Sequence, residues 1–244
     1  MRFKRAFLLF PLAILITLLA GCIYVRLLEV KLQLTDFEKY FKIENGKGLS
    51  LVFFKPVLSS QDILAMAKRG PTSGEGDAQQ MVWQYHFIKQ YPHPEPEKAA
   101  YDVPVSLVFR ENKLCTGTLP ERFYEILPRE FIIDAFKAVG RAEVNMIERS
   151  AKGSFFERDK EKGGALPKSA DIERLLGKPF SEEKSGEVTV RTFVYRLQKN
   201  SLDTAPPINA WARFTFIQES EELRKIEAKF AGMRVTLHFD GTAQ

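Results

Sequence analysis

Polar and apolar positions along this chain follow two periods, one close to two residues and one between three and four. Residues 26–34 alternate, with Leu28, Val30, Leu32 and Leu34 set against Glu29, Lys31 and Gln33, the pattern of a strand with one wet face. Thr35 stands three residues before Glu38, a capping-box spacing that predicts a short helical turn through Tyr40. Phe41 and Ile43 alternate again. Asn45-Gly46 tolerates the positive φ of a tight turn, and Leu49, Leu51 and Phe53 continue beyond it, which predicts a β-hairpin over about 41–54.

Ser59 or Ser60 can cap a helix carrying Ile63, Leu64 and Ala67, which Gly70-Pro71 stops. Residues 72–78 are small and polar and read as a loop, and 82–88 as a strand. Pro92, Pro94, Pro96 and Pro104 make 91–104 an extended connection. A strand over 105–110, a turn at Glu111-Asn112-Lys113 and a return strand from Leu114 follow. Helices are expected over 120–127 and 128–139. In the second, Phe131, Ile132, Ala135, Phe136 and Val139 share a stripe that ends at Gly140. Residues 141–149 fit either period. The charge and Gly content of 152–164 marks a linker. Ser169 caps a further helix, stopped by Gly177 and Pro179, and strands are expected over 188–197, 210–218, 223–230 and 233–239.

The order helix, Gly-and-Pro stop, aromatic strand, strand recurs at an offset near 108 residues. Asp62-Ile63 matches Asp171-Ile172, Gly70-Pro71 matches Gly177-Lys178-Pro179, and Trp83, Tyr85 and Phe87 match Phe193, Tyr195 and Leu197. The expected fold class is therefore α+β, in two tandem modules that each pack short helices on an antiparallel sheet. The N-terminal module covers 22–150 and carries an extra hairpin and helices. The C-terminal module covers 151–244.

The first 21 residues are of another kind. A basic head, Arg2, Lys4 and Arg5, precedes an apolar run that starts near Ala6, the layout of a bacterial export signal. It ends in Leu19, Ala20, Gly21 and Cys22, which resembles the lipobox of bacterial lipoproteins. That resemblance implies a signal-cleavage motif at Leu19-Ala20-Gly21 and lipidation of Cys22, which becomes the acylated first residue of the mature chain. Ile23 directly after the cysteine, where an Asp would mean retention in the inner membrane, implies an outer-membrane anchor facing the periplasm. The apolar run continues through Ile23, Tyr24 and Val25, so it also has the roughly 20 residues of a single inner-membrane span. Both readings put the rest of the chain outside the cytoplasm.

The net charge of +5 belongs largely to that head. Without residues 1–21 the chain keeps 33 of its 36 basic side chains against 31 acidic ones, and no basic stripe interleaved with aromatics marks a nucleic-acid partner. With Cys22 acylated, Cys115 has no mate, which excludes a disulfide scaffold and a cysteine zinc site. Cys115 reads as a small apolar residue at a strand end. His86, His93 and His238 lack metal-ligand spacing. Ser181 and Lys184 satisfy Ser-x-x-Lys but sit in a charged stretch after Pro179, without the companion motifs of a serine acyl-transferase. No catalytic residue, metal or cofactor is expected.

The stretch Ile172-Glu173-Arg174-Leu175-Leu176-Gly177-Lys178-Pro179, followed by the Tyr195 strand, resembles the outer-membrane assembly lipoproteins of the BamE (SmpA/OmlA) type. The duplicated module of β-lactamase inhibitor protein is similar. The first unit departs from the pattern, with Ala67-Lys68-Arg69-Gly70-Pro71 in the place of the Leu-Leu-Gly-x-Pro signal. The resemblance implies a non-enzymatic role, in which a lipid-anchored envelope protein docks other envelope proteins as a scaffold or interaction module. The alternative roles are an inhibitor or regulator of an envelope hydrolase and a single-pass inner-membrane-anchored periplasmic protein.

Overall fold

Backbone pairing in the computed structural model, which describes residues 23–77, 79–93, 98–155, 166–200, 204 and 206–239, joins the described strands into one sheet. The N-terminal half supplies β1 (Phe41–Asn45), β2 (Leu49–Phe53), β3 (Ser73–Gly76), β4 (Gln80–Gln90), β5 (Val103–Arg110), β6 (Lys113–Leu119) and β7 (Glu143–Asn145). The C-terminal half supplies β8 (Ser150–Ser154), β9 (Ser181–Ser185), β10 (Val188–Leu197), β11 (Asn209–Ile217), β12 (Leu223–Phe230) and β13 (Met233–His238). The order across the sheet is β1-β2-β6-β5-β4-β10-β11-β12-β13-β8-β7, with β3 paired to β4 and β9 to β10. Pairing is antiparallel except between β13 and β8.

This corrects the two-module α+β expectation. The stretches that match at the 108-residue offset are strands β4 and β10, and they hydrogen-bond to each other, Phe87 opposite Leu197 and Gln90 opposite Val194. The apolar core crosses the same junction. Phe37, Phe41 and Phe131 share one cluster with Phe193, Phe216 and Phe239, and Phe131 stacks on both Phe155 and Phe239. Neither half closes its own core, so one mixed, mostly stranded body forms where two helix-on-sheet modules were expected.

The α-helices among the described residues are α1 (Ile23–Thr35), α2 (Phe37–Tyr40), α3 (Ser60–Ala67), α4 (Arg122–Ile126), α5 (Arg129–Arg141) and α6 (Ser169–Leu176). Helix α1 replaces the strand expected over 26–34. Leu27, Val30 and Leu34 sit at i, i+3 and i+7 and face the core, whereas Leu28 and Leu32, central to the alternation, are exposed. What decides between the two periods is a neighbour distant in sequence, because α1 packs along α5. Gly140 lies in the last turn of α5, which runs one residue beyond it. A Cβ there would stand 2.7 Å from the Leu34 carbonyl carbon and 2.7 Å from the Thr35 nitrogen, so its absence lets the helices touch. The turn through Tyr40 forms as α2, but the Thr35 hydroxyl donates to the Leu32 carbonyl at 2.6 Å instead of capping it.

Four further differences concern edges. Residues 73–76, expected as loop, form β3, and 181–185 form β9; each adds a polar ribbon to a long strand. Residues 150–154, which reach into the linker expected over 152–164, form β8 beside β13. The Pro-rich connection holds a 3-10 turn, Lys98–Tyr101. The hairpin β1–β2, helix α3 with its Ser59 cap, and strands β10 to β13 lie where the sequence pattern puts them.

Candidate functional site

Helix α1 begins at Ile23, and its first turns form one wall of an apolar groove of about 340 Å3. Ala65 and Met66 of α3 form a second wall, and β7, the turn at 146–149 and Met233 of β13 complete it. The rim is unusually bare of polar cover. Of the lining residues Tyr24, Leu28 and Val144 are exposed and Met146 is 48% exposed, and Ile147, next to Met146 at the tip of the turn, is 95% exposed. That tip is braced. The Asn145 side-chain oxygen accepts the backbone N–H groups of Ile147 and Glu148, each at 3.0 Å, and Arg149 takes a left-handed φ of 53° to re-enter β8. Lys31, Arg149 and Arg234 bring positive charge to the groove, with Glu148 the acid in the turn.

A second constellation sits where β4 meets β10. Lys89, 2% exposed, is on the apolar face of β4 because period-two alternation places it with Tyr85 and Phe87. Its ammonium donates to the Leu176 carbonyl and lies 5.0 Å from the Phe193 ring, 5.1 Å from Tyr91 and 5.5 Å from Tyr101. Arg122 donates to the carbonyls of Leu175 at 2.9 Å, Asp102 at 2.7 Å and Tyr101 at 3.3 Å. Desolvation pulls the Arg122 guanidinium below its usual pKa, with Tyr195 and Asp102 acting the other way. Asp102 accepts the Lys89 backbone N–H at 2.8 Å and faces His86 at 3.2 Å. These groups engage the last carbonyls of α6, where a cation also meets the negative end of the helix. The arrangement closes a helix end. Beside it the Tyr195 hydroxyl lies buried without a hydrogen-bond partner among the described residues. Burial raises its pKa well above the ordinary tyrosine value.

Leu19, Ala20, Gly21 and Cys22 lie outside the described residues. Ser181 and Lys184 lie on β9, three residues apart on an extended strand, so their side chains leave opposite faces and cannot share a proton as they would one helical turn apart. His93 is exposed, and His238 lies on β13 opposite Lys225. Cys115 is a free thiol within β6. The described residues hold no metal-ligating group of three and no helix long and apolar enough to cross a membrane.

The features that sequence reasoning passed over had signals. Lys89 interrupts an alternating aromatic face, and Met146-Ile147 is an apolar pair in a stretch of no clear period. No family model matches the chain, nor does any curated protein or solved structure.

Proposed function

We propose that the chain is an envelope protein tethered to a membrane by its N-terminus, through an acylated Cys22, and that it serves as a non-enzymatic scaffold on the periplasmic face. The observation that carries this reading is the bare apolar rim at the first turn of α1, one residue after Cys22. An ordinary monomer seldom leaves that many large apolar side chains at one end unless something covers them. Tethering would act by concentration, since a lipid-held body meets membrane-bound partners in two dimensions rather than three. The partners would dock on the sheet, where the face opposite Tyr85 and Phe87 presents an aligned polar row, Ser50, Thr118, Ser106 and Gln84, across four strands.

The test is membrane fractionation with mass spectrometry of the N-terminus. The wild-type chain is expected in the membrane with a lipid-modified Cys22, and Cys22→Ser is expected to be unprocessed. A second reading, an uncleaved single span, is favoured by the apolar Ile23-Tyr24-Val25 after the cysteine. It would show as an unmodified chain starting at Met1.

A further inference from the structure

We infer that the rim formed by Tyr24, Leu28, Val144, Met146 and Ile147 rests in the interfacial layer of the lipid bilayer, as a second attachment that fixes the orientation of the body. This rests on the tethered reading above.

Three observations name the bilayer as the occupant. The first is position. The sequence is apolar from Ala6 to Cys22, and Ile23, the next residue and the first described, lines the groove. A residue spans at most about 3.5 Å, so either form of tether, acyl chains on Cys22 or an apolar span, holds the start of α1 within a few ångströms of the headgroups. The second is chemistry. Large apolar side chains stand exposed around a groove that also carries Lys31, Arg149 and Arg234, and the Lys68 ammonium and Arg149 guanidinium converge on the Gly232 turn beside it. Long basic side chains around an apolar patch suit an interface with anionic lipid, where the stems lie in the apolar layer and the charges meet phosphate. The third is rigidity. The Asn145 side chain holds the turn, so Ile147 is presented outward by construction. A single lipid tether leaves a body free to tumble. A braced apolar tip beside it removes that freedom and turns one fixed side toward partners.

The experiment uses the full-length chain, purified from membranes and reconstituted in vesicles of phosphatidylethanolamine and phosphatidylglycerol, with Cys115→Ser. A fluorophore is attached through Ile147→Cys or, for comparison, Glu44→Cys on β1, at the opposite end of the strand order from β7. Ile147 is almost fully solvent-exposed, so its replacement leaves the core intact. Lipids with brominated acyl chains are expected to quench the Ile147 probe several-fold more than the Glu44 probe, and aqueous iodide is expected to do the reverse. If the protein sediments with the vesicles while iodide reaches both probes alike, the tether stands and the docking inference is overturned. If the Ile147 probe is shielded from iodide and from brominated lipid together, a protein or a second copy covers the rim, which also overturns it. A chain that fails to sediment with the vesicles removes the tethered reading and this inference with it.

Discussion

Arg26 holds Asp62 by both carboxylate oxygens, Nε to Oδ2 at 2.7 Å and Nη2 to Oδ1 at 2.5 Å, and so fastens the N-terminal helix α1 to the first turn of α3. Asp62 is 2% exposed and does two jobs, because Oδ2 also accepts the Ser59 backbone N–H and hydroxyl, each at 2.8 Å, closing the capping box of α3. Replacing Asp62 with Asn removes the carboxylate charge that faces the part-buried Arg26 guanidinium and weakens the cap. Asp62→Asn is expected to lose about 3 kcal/mol in urea unfolding. Acid should reveal the same pair. Burial pushes the Asp62 carboxyl up, but the hydrogen bonds from Arg26 and Ser59 outweigh it and hold the pKa below the ordinary value. A folded pKa below the unfolded one stabilises the protein above about pH 4 and loses that contribution as pH falls through the folded value. Stability of the wild type should therefore drop more steeply below pH 4 than that of Asp62→Asn.

Gly140 offers a sharper steric test. Gly to Ala inside a helix ordinarily gains about 1 kcal/mol. Here the new Cβ meets backbone of α1, which cannot swing away as a side-chain tip would. The collision should win, and Gly140→Ala is expected to lose about 2 kcal/mol by chemical denaturation. Hydrogen exchange should then quicken in α1 before it quickens in β10. A stabilised variant would mean that α1 is not seated as described.

Local chemistry made part of this fold legible. Asn45-Gly46 marks the β1–β2 turn, Ser59 marks the start of α3, and apolar alternation marks β10 to β13. Where the sequence misleads, the deciding contact is distant. Residues 26–34 satisfy both periods, and only the approach of α5 at Gly140 selects the helix. Strands β3 and β9 carry no large apolar residue, since they contribute backbone hydrogen bonds to β4 and β10 and bury nothing, so no periodicity announces them. The fusion of two halves into one sheet is likewise silent, because any two amphipathic strands of matching length can pair. The resemblance of Leu19-Ala20-Gly21-Cys22 to a lipobox is read from the sequence alone. The rim of the groove is not, because Met146 and Ile147 would ordinarily be assigned to a core.

Arg122 should matter more than its place at the start of a short helix suggests. It reaches three backbone carbonyls, on α6, on Tyr101 and on Asp102, and so ties together segments far apart in the chain. Arg122→Met would strand those acceptors and is expected to lose about 3 kcal/mol. Arg122→Lys keeps the charge but lacks the planar fork that spans the three sites, and should recover less than half of the loss. Equal stability of the Lys variant and wild type would show that charge near the end of α6 suffices without the fork.

Alkaline pH probes two buried tyrosines on the strands of the β4–β10 junction. Tyr85 is buried, its hydroxyl donates to the Arg69 carbonyl at 3.1 Å, and burial pushes its pKa up to about 12. Burial raises Tyr195 in the same direction. For a group whose folded pKa exceeds the unfolded one, the stabilising contribution is complete below the unfolded value, about pH 10, and is lost as pH rises through the folded value. The chain should hold its stability up to about pH 10 and weaken between there and pH 12, with tyrosinate absorbance rising as unfolding proceeds. Tyr85→Phe should be about 1 kcal/mol less stable at neutral pH, through loss of the hydrogen bond to the Arg69 carbonyl. Its alkaline loss should be shallower but not abolished, because Tyr195 still has to ionise on unfolding. A Tyr85→Phe curve parallel to wild type throughout would mean that the Tyr85 hydroxyl reaches water in the folded protein.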